Sequence, residues 1–367
     1  MMKKRISSVV LTLLLLFSVV SAVFAAEFPV EFRWDQPIYP NVKADYVMKI
    51  GYLDHPNPWD SDEHAMAVVM KNLIERGTKG KIRVDLFPSG QLGKEATMTS
   101  MLIEGKAMQA GLFSEGIIPT FYKSIQVLSI PYVFKNEAIA YHVLDGWFGA
   151  ELSEDMVQKS GVRILGYSEN GGFRHFTNSV RPIHSPEDMK GLKMRTMEHA
   201  GHMAIVTSLG AIATPIPWAD LYTSLKTKVV AGQENSVPLI NQGKFYEVQD
   251  YLVLDGHVYS IDFILVNEKW YRSLPKEYQQ IVKLASYQAA LTGRGISRTV
   301  DWEKMAYFEN SKKFKEIYLP SAEEKEAFAK VTQPAYLEWY RKEVDPAGTW
   351  SDKLFKAVAE AETYFGK

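Results

Sequence analysis

The chain has 367 residues and no cysteine, with 46% hydrophobic and 23% charged residues and a formal net charge of -1. The lack of cysteine excludes a disulfide framework, so hydrophobic cores must supply the stability, and a chain of this length can bury them. The near-neutral charge, without a basic stripe or a reader motif, argues against nucleic acid as a partner. The length favours two domains.

The first 26 residues have the three parts of a secretory signal peptide. A basic start at residues 1–5 precedes an apolar run at 9–20 and small residues at 21–26. The run is shorter than the roughly 20 residues that a transmembrane helix needs. We therefore predict cleavage after Ala25 or Ala26 and export to the periplasm, with an uncleaved anchor as the alternative.

Strands and helices then alternate along the chain. After an extended segment at 27–45, the patterns predict strands at 46–51, 82–87, 107–112, 162–167, 172–178, 192–196 and 229–232, and helices at 60–76, 95–104, 199–209 and 219–227. Alternation of this kind is typical of mostly parallel α/β sheets.

The last third has longer elements. An apolar strand within 251–267 is long enough to run between domains, an amphipathic helix covers 276–318, and further helices pack on the outside at 322–367. We predict an α/β fold with two lobes, a ligand cleft between them and a long helix spanning both. Lobe I comprises 27–165 and about 256–275, lobe II comprises 166–255 and parts of the C-terminal helices, and 276–367 forms the spanning and C-terminal helices.

Two arginines lie beside glycine and aromatic residues in short apolar strands. Arg174 occurs in GGFRHFTN (171–178) and Arg195 in GLKMRT (191–196). Burying a guanidinium costs several kcal/mol unless an anion or a hydrogen-bonded partner meets it. Because the guanidinium fork matches a carboxylate, the pair indicates a pocket for an organic acid. The alternative is that each arginine pairs with a structural Asp or Glu.

Five strings occur in an order and spacing that identify a family: PSGQLG (88–93), IPYVF (130–134), GLKMRT (191–196), PWADLYTSL (217–225) and GQEN (232–235). From about residue 46 onward the chain resembles the extracytoplasmic solute-binding subunits of TRAP transporters, the tripartite ATP-independent periplasmic carriers. The resemblance implies a two-lobed periplasmic protein that binds a small organic acid. It also implies delivery of that acid to the integral membrane permease subunits of the transporter.

The resemblance assigns roles to several residues. Arg195 matches the arginine that holds the ligand carboxylate in a two-pronged bond, and Arg174 matches the family's other arginine. Asn235 matches an asparagine that donates to the ligand, although Asn is also common in turns. Trp218 lies where the family often has an aromatic side chain along the ligand, and plain packing at a helix start is the alternative.

Four further candidates follow from position. Glu115 comes after the third strand, at the edge where ligands of α/β sheets gather, and either accepts from the ligand or pairs with an arginine. His55 and Trp59 lie in a Pro-rich loop after the first strand, and Tyr259 lies on the interdomain strand. For these three, a structural role is the alternative.

The sequence offers no support for metal or cofactor chemistry. His199 and His202 lack the spacing of a zinc motif and are expected at the surface. A nucleophile elbow, a Walker loop and Gly-x-Gly-x-x-Gly are absent, so we predict no catalytic residue and no cofactor. An ABC-type binding protein, and a periplasmic hydrolase or lyase using Glu115 or a histidine as base, stay open. Sugar acids and dicarboxylates rank equally as ligands, with aromatic and keto acids close behind.

Overall fold

The structure is a computed structural model, and it describes residues 33–366. The predicted signal peptide, residues 1–26, lies outside the described residues. Within the described part of the chain, no helix is long and apolar enough to cross a membrane. The chain divides after Asp35, and the fold below belongs to the unit Gln36–Lys367.

Eleven strands and eleven α-helices make up the fold of the described residues. The strands are β1 Tyr46–Gly51, β2 Ile82–Phe87, β3 Ala110–Ser114, β4 Val162–Tyr167, β5 Gly172–Asn178, β6 Lys193–Thr196, β7 Ile212–Pro215, β8 Gly232–Asn235, β9 Tyr251–Ser260, β10 Asp262–Asn267 and β11 Glu316–Tyr318. The helices are α1 Asp62–Gly77, α2 Glu95–Glu104, α3 Glu137–Asp145, α4 Trp147–Ser160, α5 Ala200–Ser208, α6 Trp218–Lys226, α7 Val237–Gln242, α8 Glu268–Ser273, α9 Lys276–Ser311, α10 Ala322–Glu343 and α11 Thr349–Tyr364.

The strands form two sheets, which confirms the predicted two-lobed α/β architecture. The first sheet has the order β2-β1-β3-β10-β4, and the second has the order β11-β9-β5-β8-β6-β7. The strand β1 is parallel to both β2 and β3, whereas β10 is antiparallel to β3 and β4. Each sheet is therefore mixed, with an antiparallel strand inserted among parallel ones.

The apolar stretch that we predicted as one strand is divided between the sheets. The strand β9 pairs with β5 in the second sheet, and β10 pairs with β3 and β4 in the first. Only Ile261 separates them, and its side chain is buried. At this crossing, the chain passes from the second sheet to the first over a single residue.

The long helix α9 spans both sheets, as predicted. It packs on α1 and β4 of the first-sheet part and on α7 and β5 of the second-sheet part. With 36 residues it is about 54 Å long. Its predicted extension to 318 was wrong: the helix ends at Lys312, which has φ 51°, and β11 follows as a parallel neighbour of β9.

Several other predictions need correction. The third strand runs from Ala110 to Ser114 rather than over 107–112, and β8 is Gly232–Asn235 rather than 229–232. The sequence reasoning missed α3, α4 and β7. The C-terminal helices lie only partly outside, because Tyr336 and Tyr340 of α10 are fully buried in the main hydrophobic core.

Candidate functional site

A cavity lies where the carboxyl ends of strands from both sheets converge. It contains about 680 Å³ of empty space, part of it open to solvent. Its lining residues follow β1, β3, β6, β7 and β8 or lie in the adjoining helices: Leu53, Asp54, Glu63, Glu95, Ser114, Gly116, Ile117, Asn170, Arg195, Met197, Glu198, Ile216, Pro217, Trp218, Asn235, Leu239 and Gln242. Ligands of α/β sheets gather at this edge.

Arg195 carries a buried charge that no carboxylate neutralises directly. It lies in β6, its side chain is 2% exposed, and its Nε donates to the Ile216 carbonyl at 2.8 Å. Among the described residues, no acidic side chain forms an ion pair with it and its Nη1 has no hydrogen-bond partner. Burial lowers the pKa of Arg195 to about 10, so the guanidinium still carries its charge at neutral pH. The cavity wall therefore presents a cation with an open donor.

Arg174 has the opposite character. It is fully buried, it lies outside the cavity lining, and its guanidinium is hydrogen-bonded to Glu234 through Nε and through Nη2, the latter at 3.0 Å. Its Nη1 donates to the Ser260 hydroxyl at 3.0 Å and lies 3.7 Å from Glu115. Burial alone would lower the pKa of Arg174, but Glu234 and Glu115 raise it above its ordinary value. The contacts of Arg174 are thus those of a structural ion pair.

Asn235 links this ion pair to the cavity. Arg174 Nη2 donates to Asn235 Oδ1 at 2.8 Å, and Asn235 Nδ2 donates to Gln233 Oε1. An amide nitrogen carries two hydrogens, so one remains for another acceptor. Because Asn235 also lines the cavity, Arg174 fixes the orientation of a donor that belongs to the site.

Trp218 also lines the cavity, at the first residue of α6. The half-buried indole packs edge-on against Phe245, with ring centroids 5.3 Å apart. The two predicted roles, cavity wall and packing at a helix start, are therefore combined in one side chain.

Glu115 and Tyr259 lie next to the cavity without lining it. The Glu115 carboxylate accepts from the Ser260 hydroxyl at 2.8 Å and from the Ile261 amide at 3.0 Å, while its neighbours Ser114 and Gly116 face the cavity. The Tyr259 hydroxyl donates to Glu169 at 2.8 Å, and its ring packs among other aromatic side chains. The positions of both favour the structural alternatives.

The structure does not bring His55 and Trp59 to the cavity. His55 Nε2 contacts Asp60 Oδ1 at 2.8 Å, and Trp59 is 81% exposed. Neither residue lines the cavity, because the Pro-rich loop that carries them turns away after Asp54.

The prediction that His199 and His202 lie at the surface was wrong. Both are buried, since α5 packs against α10 and His202 Nδ1 lies 3.3 Å from Glu234 Oε1. Burial holds the pKa of His199 well below its usual range. Across the described residues, no group of three or more His, Asp or Glu side chains is suited to hold a metal ion.

Sequence reasoning missed the acidic side chains of the lining, Asp54, Glu63, Glu95 and Glu198. A signal was present for Asp54, which comes just after β1 at the ligand-facing edge. Glu63 lies in the first turn of α1, where acidic residues are common because they complement the helix dipole. Burial raises the pKa of Glu95 to about 7, and burial together with Asp54 raises that of Glu63.

Comparisons with known proteins find related solute-binding proteins by sequence and by fold. A solute-binding protein of Verminephrobacter eiseniae is 38% identical over 60% of this chain and 65% of its own length. The 2,3-diketo-L-gulonate-binding periplasmic protein YiaO of Escherichia coli is 31% identical over 66% of this chain and 75% of its own length. A TRAP periplasmic solute-binding protein from Polaromonas, solved with D-erythronate, superimposes with a TM-score of 0.76 at 30% identity, over 86% of this chain and 98% of that one.

A family model described as bacterial extracellular solute-binding protein, family 7 (DctP), matches residues 54–343. This match covers most of the chain and includes every residue of the cavity lining except Leu53. The chain therefore belongs to this family of TRAP-type solute-binding proteins, whose members bind carboxylates and other organic acids.

Proposed function

We propose that the protein captures a small organic acid, a sugar acid or a dicarboxylate, and delivers it to the permease subunits of a TRAP transporter. The observation that carries this proposal is Arg195, a buried guanidinium at the cavity wall with an open Nη1 and no carboxylate of its own. A ligand carboxylate supplies the missing partner in a two-pronged bond. The names of YiaO and of the Polaromonas protein, which refer to sugar-derived acids, support the ligand class.

The remaining site residues have distinct tasks in this mechanism. Asn235 donates to the bound carboxylate, and Trp218 forms a wall along the ligand body. Arg174 acts as a positioning residue, because it holds the Asn235 amide by its oxygen. Glu115 in turn accepts from the hydroxyl of Ser260, to which Arg174 also donates.

Binding and closure involve no bond making or breaking in the ligand. The first-sheet and second-sheet parts of the chain act as lobes I and II, and the acid enters while they are apart. Closure removes water from the cavity, and the lower dielectric strengthens the contact between Arg195 and the carboxylate. We infer that the membrane permease recognises the closed form, and that the exported chain acts in the periplasm after removal of residues 1–26.

A thermal-shift screen against small carboxylic acids, each beside its neutral amide, tests the proposal. At 100 times its dissociation constant a ligand adds about 2.7 kcal/mol to the free energy of unfolding, which moves the midpoint visibly. We expect an acid to stabilise the protein while its amide does not. The Arg195→Ala variant should lose the shift, whereas Lys193→Ala, at an exposed position of the same strand, should keep it.

The Arg195→Lys variant tests the fork separately from the charge. Lysine keeps a positive charge but lacks the planar donor pair, so we expect weak binding rather than full recovery. An unchanged shift in Arg195→Ala would contradict the proposal.

A further inference from the structure

The described cavity lining has more acidic than basic side chains. Arg195 is the one cationic side chain in the described lining, and it faces the acidic side chains of Asp54, Glu63, Glu95 and Glu198. Once a ligand carboxylate occupies the guanidinium, the titratable groups left in the wall are all carboxyl groups, and Glu95, whose pKa burial raises to about 7, is ionised only above that pH. Their free oxygens then decide which chemical groups the rest of the ligand can carry.

Two of these carboxylates already accept hydrogen bonds from the protein itself. Asp54 Oδ1 accepts from Gln242 Nε2 at 2.8 Å, and its Oδ2 accepts from the Ser61 hydroxyl at 2.7 Å. Glu63 Oε2 accepts from the amides of Leu53 and Asp54 at 3.1 and 2.9 Å. No described residue donates to Glu63 Oε1, so that oxygen is available to a ligand.

The other two carboxylates are free. Glu95, the first residue of α2, forms no hydrogen bond or ion pair with any described residue, although Arg195 is near enough to act on its pKa. Glu198 is exposed at the cavity, with no such partner in the described part of the chain either. Beyond the guanidinium, the cavity therefore offers acceptor oxygens on Glu63, Glu95 and Glu198.

We propose that the cavity selects monocarboxylates whose other polar groups are hydrogen-bond donors, hydroxyls or an ammonium, and that it rejects a second carboxylate. The inference rests on the proposed function and narrows its ligand class. Donors from the ligand form hydrogen bonds with the carboxyl oxygens of Glu63, Glu95 and Glu198, and a bond to an ionised carboxylate is charge-assisted and therefore stronger. At pH 8 a second carboxylate meets the carboxylates of Glu95 and Glu198 in a cavity of low dielectric, and such repulsion is an effective means of specificity.

Isothermal titration calorimetry at pH 8 with pairs of acids that differ at one carbon tests the inference. D-Galactonate and galactarate carry the same inner hydroxyls but end in a hydroxymethyl and a carboxylate group, respectively. D-Erythronate and meso-tartrate form the same kind of pair with four carbons. For the chain length that fits, we expect the monoacid to bind at least about tenfold tighter than its diacid, a difference of about 1.4 kcal/mol.

The substitution Glu95→Gln removes one negative charge and keeps an acceptor oxygen. We expect it to tighten binding of the diacid severalfold and to weaken binding of the monoacid only slightly. Glu104→Gln, at an exposed position of the same helix, should change neither. A purely structural role for Glu95 would instead weaken both acids together and lower the melting temperature.

A further pair identifies the donor, since 6-aminohexanoate adds an ammonium to hexanoate. Tighter binding of the amino acid supports an ammonium at the carboxylate wall, and tighter binding of galactonate or erythronate than of unsubstituted acids supports hydroxyls. If, in the pair whose chain length fits the cavity, the diacid binds as tightly as the monoacid or more tightly, this inference is wrong and the proposed function is unaffected. If no carboxylic acid binds at all, the proposed function fails and the inference fails with it.

Discussion

Gln242 donates through Nε2 to Asp54 Oδ1 at 2.8 Å, which connects the last residue of α7 with the loop after β1. The loop belongs to the first sheet, and α7 follows β8 of the second sheet, so this bond joins the two sides of the cavity. Both residues line the cavity, so this hydrogen bond lies beside the proposed ligand site.

Removing this bond should speed ligand release. A hydrogen bond to a charged group contributes about 1.5–3 kcal/mol, so Gln242→Ala should raise the dissociation rate roughly tenfold or more. Stopped-flow tryptophan fluorescence, to which Trp218 in the cavity contributes, measures this rate. The control is Asn241→Ala on the same helix, and equal rates in the two variants would show that the bond does not hold the closed form.

Arg174→Met should destabilise the protein strongly. The substitution leaves the fully buried Glu234 without its cation, and breaking a buried ion pair in this way costs about 3–5 kcal/mol. Chemical denaturation measures the loss. The double variant Arg174→Met with Glu234→Gln removes both charges and should recover part of it; no recovery would mean that the cost comes from packing instead.

Arg195→Met should have the contrary effect on the ligand-free protein. No described carboxylate pairs with Arg195, so its removal relieves an uncompensated buried charge and should leave the free energy of unfolding unchanged or higher. Ligand binding should be lost in the same variant. A fall in stability as large as that of Arg174→Met would indicate that Arg195 has a structural role.

The stability should fall as the pH rises from about 4 to about 7. Burial, reinforced by Asp54, raises the pKa of Asp62 to about 7, so in this window the folded state holds a proton that the unfolded state has released. Stability is therefore greatest below the unfolded pKa and is lost as the pH approaches the folded one. Denaturation at several pH values measures the slope.

The variant Asp62→Asn should flatten that slope, because the amide does not titrate. Its oxygen can still accept from the Ser297 hydroxyl, which Asp62 does at 2.7 Å. Asp352→Asn at the surface serves as the control. An unchanged slope in Asp62→Asn would assign the pH dependence to other groups.

Local signals in the sequence predicted many elements well. The bounds of α2 were predicted correctly because Gly105, with φ 70°, ends the helix where glycine is the favoured residue. The end of α9 was missed because Lys312 adopts a left-handed conformation without being a glycine. The division between β9 and β10 was missed for a different reason: Ile261 is as apolar as the strands on either side.

The site was predictable to the extent that it depends on strand ends. Arg195, Asn235 and Trp218 do meet at one cavity, and each lies in the last residues of a strand of the second sheet or shortly after one. The burial of Arg174 against Glu234 depends on the pairing of β5 with β8, which joins segments 60 residues apart. Contacts of that kind leave no local pattern in the sequence.

The single residue between β9 and β10 also limits how the cavity can open. Ile261 is held in place on one side by β9 and on the other by β10, so no spare chain is available there to let the two sheets slide apart. In the closure proposed above, we therefore expect the sheets to swing about this connection, so that a label far from Ile261 travels farther than one close to it. Inserting two glycines after Ile261 would lengthen the connection, and the two sheets could then move relative to each other in more than one direction.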